Sequence, residues 1–372
     1  MEKRTIIFAR FGSFSHTNES LYAQLIKRFP HHEVVDFCAK NAMLKRPSAV
    51  FTALMAEIFE YGPMIMADRG TRGLFFFLQP YFFSRSSSIF RETFLPLAEK
   101  IDVVVQTQAM FNAALPNIPL ILYNDYALKC PGFHKKKPSA SLVDLESTLY
   151  KRADAITVSS SYLHKTLVDC YGCDDAKIST VFIGSNIKAP TIDEDVDRYA
   201  RQQICFVGID WERKGGPVLL DAFLEIAGRF PKCQLAIAGC SPPVSHPRIR
   251  TFGKISREAV AAICRESSIF CLPSIVEPLG IAAIEATAYA LPVVATRVGG
   301  LFETVENGVT GYLVPPNDPG SLADALAKLL ANPADAQKMG FKGRDRNSSR
   351  FDWEIVGEKI AAIVRRTASI EG

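Results

Sequence analysis

The sequence predicts an α/β protein built from two doubly wound parallel-sheet domains in tandem, and three observations predict it. Short apolar, β-branched runs alternate along the chain with longer helical patterns, the signature of strand-helix-strand units. The alternation is interrupted once, near residue 190, by a proline-containing acidic stretch, and then restarts. Finally, 372 residues with 48% hydrophobic and 22% charged side chains supply two packed cores and exclude a disordered chain.

In the first half, strands are expected at Thr5 to Ala9, Glu33 to Phe37, Asp102 to Gln106, Leu120 to Tyr123, Ala155 to Val158 and Ile178 to Phe182, with helices between them. Ser159-Ser160-Ser161 ahead of Tyr162-Leu163 reads as the N-cap at a strand-to-helix junction. Residues 191–201 lack apolar periodicity and are the expected linker between a domain 1–190 and a domain 202–350. Beyond it come strand Gln203 to Val207, helix Val218 to Phe230, strands Gln234 to Ala238 and Ile249 to Phe252, helix Ser256 to Glu266, strand Ser268 to Leu272, helix Ile281 to Tyr289 and strand Pro292 to Thr296. No internal repeat or low-complexity tract interrupts this order. Sheets of this kind bind ligands outside the carboxyl ends of their strands, so a cleft between the two domains is the expected site.

No apolar run approaches the roughly 20 residues of a spanning helix. Thr5-Ile6-Ile7-Phe8-Ala9 is too short for a signal-peptide core. Nine scattered cysteines suit a reducing compartment better than a disulfide framework, so a cytoplasmic protein is expected. A net charge of +4 does not announce a nucleic-acid binder, and none is expected as partner. Residues 1–190 nevertheless hold 22 basic against 17 acidic side chains, whereas the remainder holds 21 against 22. A basic front half suits an anionic acceptor or a phospholipid surface, although a surplus this small is more often a solvated face.

The densest constellation runs from Pro273 to Ala286, through Glu277-Pro278-Leu279-Gly280-Ile281 to Glu285. Gly280 permits close backbone approach, and the first helical turn after it offers free N–H groups to an anion. Glu277 on the loop and Glu285 one turn inside the helix are acceptors, suited to sugar hydroxyls and not to phosphate. A second cluster, Gly208-Ile209-Asp210-Trp211-Glu212-Arg213-Lys214-Gly215-Gly216, follows a strand and enters a helix, and Arg213 and Lys214 bring two cations to a diphosphate. The two clusters together describe a nucleotide-sugar pocket.

These residues, with Ala288 to Thr296, Gly299-Gly300, Glu303 and Asn307 to Pro315, resemble the family 4 glycosyltransferases, also called glycosyl transferases group 1. The resemblance spans nearly the whole chain. It implies the GT-B fold, two Rossmann-like domains facing a central cleft, with a C-terminal helix (353–370) crossing back onto the first domain. It also implies retaining transfer of a hexose from a nucleotide-diphosphate sugar to a hydroxyl of a glycan or lipid-linked acceptor. In that scheme Glu285 holds the ribose, Glu277 the donor sugar, Arg213 and Lys214 the pyrophosphate, and Lys254 and Ile255, after Gly253, lie near the base. No cofactor and no metal is expected, because the two cations replace one. The alternatives on this scaffold are a nucleotide-sugar epimerase and a nucleotide-sugar-sensing pseudoenzyme.

Three positions depart from the family pattern. Ile209 stands where most members carry an arginine. Asn124-Asp125 replaces a histidine, which makes Asp125 a sugar or acceptor contact, and the first loop, Phe11-Gly12-Ser13-Phe14-Ser15, has one glycine, Gly12, where relatives often have two.

Competing readings accompany the other motifs. Gln106-Thr107-Gln108 ends a strand, so these residues, Gln108 among them, either read the acceptor or satisfy loop backbone. Leu74 to Phe83 is buried core or a segment dipping into a membrane interface, and Lys135-Lys136-Lys137 is a solvated loop or a headgroup contact. From these comes the expectation of a peripheral contact with the cytoplasmic membrane face. Cys170-Tyr171-Gly172-Cys173 lacks the partner pair of a zinc site, and Asp193-x-Asp195 and Asp195-x-Asp197 lie in the linker and not after a strand.

Overall fold

A computed structural model of the protein describes residues 3–12, 16–61, 77–130, 137–192 and 197–371. The chain divides into two compact units. One comprises the described residues up to Phe182 together with 353–371, and the other comprises the described part of Ile183–Asp352.

In the first unit, β1 (Thr5–Arg10), β2 (Glu33–Cys38), β3 (Ile101–Thr107), β4 (Leu120–Asn124), β5 (Ala155–Val158) and β6 (Ile178–Thr180) form one sheet in the order β2-β1-β3-β4-β5-β6, all parallel. In the second, β7 (Gln203–Val207), β8 (Gln234–Ala238), β9 (Ile249–Thr251), β10 (Ile269–Leu272), β11 (Val293–Thr296) and β12 (Gly311–Val314) pair in parallel in the order β12-β11-β10-β7-β8-β9. The central strands β4, β5, β10 and β11 are buried along their whole length. Helices cover both faces of such a sheet, which is why these strands read as unbroken apolar runs. Strand order reverses between β1 and β3 and again between β7 and β10, which opens a crevice at the carboxyl ends of each pair.

The periodicity located the strands to within two residues, and the misses have local causes. β6 stops at Thr180, because Phe182 adopts a left-handed backbone (φ 70°). The helix Gly216–Arg229 starts two residues earlier than its apolar pattern, since Pro217 sits in its first turn, where a missing N–H costs nothing. β12, an edge strand of four residues that begins at Gly311, was not among the expected strands. Ser160 does cap the helix Ser161–Tyr171, accepting from Leu163 N at 3.2 Å.

The end of the expected linker at 191–201 belongs to the second unit. Residues 197–200 form a helical turn of the second unit, where Tyr199 Oη donates to Ala290 O at 2.8 Å and the buried Arg198 donates to Tyr289 O at 2.9 Å. The change of unit falls at Phe182–Ile183 instead. A packed irregular segment lacks periodicity as much as a loose one does, so the pattern could not separate them. Asp193 and Asp195 lie outside the described residues.

Helix Trp353–Ala368 packs within the first unit against helix Thr17–Arg28, with Glu354 paired to Lys27 at 2.7 Å and to Arg28 at 3.2 Å. Gly357 fits there because a Cβ would sit 2.5 Å from Gln24 Oε1. Of the aromatic run, Phe82 and Phe83 are core, whereas Leu74 to Phe76, like Lys135 and Lys136, lie outside the described residues. Among the described residues no helix is long and apolar enough to cross a membrane. The nine cysteines are free thiols.

Candidate active site

The second unit brings Arg213, Lys214 and Glu277 together where its strand order reverses. The loop after β7 carries Gly208 to Gly215, and the loop after β10 carries Pro273 to Gly280. Lys214 Nζ makes a short ion pair with Glu277 Oε2, their side chains 13% and 7% exposed, and Arg213 Nη1 stands 4.0 Å from the same oxygen. Ser274 Oγ donates to it at 3.1 Å. The carboxylate thus holds two cations at the mouth of the crevice, and a pair this buried persists only when its remaining lone pairs are satisfied, which Ser274 helps to do.

Backbone geometry fixes this arrangement. Arg213 Nη1 donates to Val276 O at 3.1 Å, and Ile275 N donates to Arg213 O at 2.8 Å, so the two loops are laced together. Asp210 organises the first loop by accepting from Arg213 N at 3.2 Å on Oδ1 and from Lys214 N at 3.0 Å on its carbonyl. Gly215 has φ 73°, and a Cβ there would lie 1.8 Å from Pro273 O, so only glycine lets the helix start against β10. A Cβ on Gly208 would press on Lys214 Cγ at 3.1 Å, so its absence leaves the lysine stem a path toward Glu277.

Gly280 caps helix Ile281–Ala288 with φ 91°. In the first turn of that helix Ala283 N and Ile284 N donate to Gly280 O at 2.9 and 3.1 Å, so the N–H groups of Ile281 and Ala282 are the ones that can face a ligand. Pro278 and Leu279 act through their backbones: Leu279 is 2% exposed and its carbonyl accepts from Thr304 Oγ1 at 3.2 Å. Glu285, one turn on, is not part of the Lys214 cluster. Burial raises its pKa, against the opposing charge of Arg257 and a hydrogen bond from Asn186. Lys254 is exposed and Ile255 half-buried beyond β9, at the carboxyl edge of the same sheet. Ile209, at the position of the family arginine, is 80% exposed.

Gly12, Gln108 and Asp125 belong to the other sheet, at the carboxyl ends of β1, β3 and β4. Gly12 is not there for space, since a Cβ would meet Lys40 Cδ at an ordinary 3.6 Å; its carbonyl accepts from Asn18 Nδ2. Gln108 takes a left-handed backbone (φ 63°), and its carbonyl does satisfy the loop by accepting from Gln106 Nε2 at 2.9 Å. Its own Oε1 is buried with no hydrogen-bond partner among the described residues, as are Thr107 Oγ1 and Asn124 Oδ1. Asp125 keeps some accessible surface, yet burial of its carboxyl pushes its pKa up to about 6.

Sequence reasoning missed Ser274, Asp210 and Asn186 as participants, whereas Thr107 and Asn124 lie in stretches it had singled out beside Gln108 and Asp125. Ser274 and Asp210 sit inside motifs already singled out and were legible as polar positions at strand ends. Asn186 carries no signal, being 99 residues from Glu285 in the chain.

Comparison with known proteins extends this picture. Residues 201–332 match the family model Glycosyl transferases group 1. The chain is similar to the D-inositol 3-phosphate glycosyltransferase of Corynebacterium efficiens, 30% identical over 253 residues that cover 61% of this chain and 59% of that protein. It is also similar to the glycogen synthase of Mycobacterium tuberculosis, 26% identical over 275 residues, 70% of this chain and 66% of the relative. It therefore spans less than two thirds of the length of either relative. Among solved structures, sucrose-phosphate synthase from Thermosynechococcus elongatus superposes with a TM-score of 0.68 at 20% identity, covering 98% of this chain and 99% of that one. HepE of Anabaena, solved in complex with UDP and glucose, gives 0.65 at 14% identity, covering 98% and 100%. At such identities the likeness shows the fold, a chain of two Rossmann-like domains as in GT-B proteins.

Proposed function

We propose that this chain, which belongs through residues 201–332 to the glycosyl transferases group 1, is a retaining glycosyltransferase moving a hexose from a nucleotide-diphosphate sugar to a hydroxyl of a glycan or lipid-linked acceptor. The observation that carries the reading is the Lys214–Glu277 pair with Arg213 beside it, at the reversal point of a parallel sheet. A nucleotide diphosphate entering there meets two cations and a helix N-terminus, and Glu277 and Glu285 offer acceptors to sugar and ribose hydroxyls. The unpaired oxygens of Thr107, Gln108 and Asn124 at the ends of β3 and β4 suit hydroxyl donors, which favours a polyhydroxylated sugar or acceptor on the first unit.

In the reaction the bond from the anomeric carbon to the leaving phosphate breaks as the acceptor oxygen forms its bond on the same face. The acceptor's proton passes to the departing phosphate oxygen. Negative charge grows on the diphosphate, where Lys214 and Arg213 stand ready, so the work of catalysis is charge stabilisation by groups already in place. These cations take the part of a metal, and transfer in chelator is the corresponding expectation. The exposed Ile209 in place of an arginine supports a second reading, a pseudoenzyme that binds the nucleotide sugar without turning it over. Incubation with uridine, guanosine and adenosine diphosphate sugars, with and without glycan or glycolipid acceptors, decides. Acceptor-dependent diphosphate release supports transfer, a free or epimerised sugar without acceptor supports an epimerase, and binding without turnover supports the sensor.

A further inference from the structure

The loop after β4, which carries Asp125, is held by a device that the reading above does not use. Glu146, on helix Ala140–Arg152, is 3% exposed. Its carboxylate accepts from Leu128 N with both oxygens at 3.1 Å and from Tyr150 Oη at 3.1 Å, and it makes a short hydrogen bond with Tyr171 Oη. Tyr171 Oη in turn accepts from Lys129 N at 2.9 Å, and Tyr150 Oη accepts from Asn124 Nδ2 at 2.6 Å. The two phenol rings pack edge to face, centroids 4.9 Å apart, and Lys129 Nζ lies 4.4 Å from the Tyr171 ring centre while donating to Cys170 O at 2.7 Å.

A buried carboxylate in a water-poor site is costly, and here every donor it satisfies leads to one place. Leu128, Lys129 and Asn124 all belong to the segment 124–130, which they bracket, so Glu146 and its two tyrosines tie that loop down on both sides of Asp125. We propose that Glu146 is a positioning residue, fixing the loop 125–130 and through it the placement of Asp125 at the carboxyl end of β4. The role rests on the glycosyltransferase reading, because it is the acceptor or sugar side of that reaction that Asp125 serves.

The test uses Glu146→Leu and, in case that variant does not fold, Tyr171→Phe, which keeps the ring packing and deletes the hydroxyl linking Glu146 to Lys129. Amide hydrogen exchange at Leu128 and Lys129 is expected to accelerate at least about 10-fold in Tyr171→Phe. With an active donor and acceptor pair, kcat is expected to fall on the order of 10-fold to 100-fold, as for a misplaced contact group, while the Kd for the matching nucleoside diphosphate, held by the second unit, stays within about twofold of wild type. Unchanged exchange in Tyr171→Phe, or faster exchange with unchanged kcat, overturns the proposal. A parallel loss of nucleotide affinity overturns it too, because general destabilisation then explains the effect. Wild-type protein that transfers no sugar sinks the glycosyltransferase reading instead, and the exchange result still decides whether the clamp exists.

Discussion

Under the proposed function Lys214 carries a catalytic duty besides its ion pair, and replacing it by alanine tests that reading. Its ammonium neutralises Glu277 in a site where the two side chains are 13% and 7% exposed, so water screens the pair weakly. Removing one partner of a buried pair typically costs roughly 3–5 kcal/mol. Here the loss should fall below that range, since Arg213 at 4.0 Å and Ser274 at 3.1 Å still compensate the carboxylate. On turnover the expected effect is about 100-fold to 1000-fold, the usual consequence of deleting one preorganised group that meets developing charge. The double variant Lys214→Met/Glu277→Gln tells the two effects apart: it removes both charges, so melting temperature should recover while the rate stays low. Diphosphate release, followed continuously with a saturating donor, reads the rate, and calorimetry reads the stability. Transfer by Lys214→Ala within about threefold of wild type would refute the assignment, and so would a double variant that regains the wild-type rate.

Further outcomes follow from particular contacts. Gly215→Ala forces a Cβ against Pro273 O and a left-handed backbone on alanine, so the second unit should lose at least about 1–3 kcal/mol together with its affinity for nucleoside diphosphate, measured by denaturation and titration. Glu146 has its pKa raised from 4.5 to about 7 by burial. The folded form therefore keeps its proton longer than the unfolded form, and this group's contribution to stability falls as pH rises from about 4.5 to 7, by on the order of 3 kcal/mol. The wild-type stability curve, measured relative to Glu146→Gln, should slope downward through that window, and an upward slope contradicts the buried-carboxylate account. Full transfer is expected in chelator; loss of activity restored by Mn²⁺ or Mg²⁺ counts against the two-cation scheme. Phe51 and Met55 are 65% and 49% exposed on the helix Pro47–Tyr61 near Lys45, which favours salt-sensitive co-sedimentation with anionic vesicles at low salt; failure to sediment removes the membrane contact.

The inner strands β4, β5, β10 and β11 were legible because each is a run of buried residues between breakers, and a sheet covered on both faces leaves that trace without help from distant parts of the chain. The site was legible in its residue types and not in its pairings. Arg213, Lys214 and Glu277 stood out as charges in glycine-bearing loops at strand ends, but a separation of 63 residues between Lys214 and Glu277 hides that they meet. The sequence reading accordingly gave one to phosphate and the other to sugar. Asn186 and Glu285, or Glu146 and the amide of Leu128, meet only through tertiary packing and have no local signature. Residues 197–201 escape the pattern for the opposite reason: their neighbourhood has the composition of a tether, and only the partners of Arg198 and Tyr199 show that these two are packed.

The first unit is discontinuous, since helix Trp353–Ala368 completes it after the chain has passed through the second. During synthesis the ribosome therefore releases every residue of the second unit before the last piece of the first exists. Until then Gln24 and Arg28 lack the surface they contact through Gly357 and Glu354. The first unit can therefore complete its packing only after the described residues of the second have been translated.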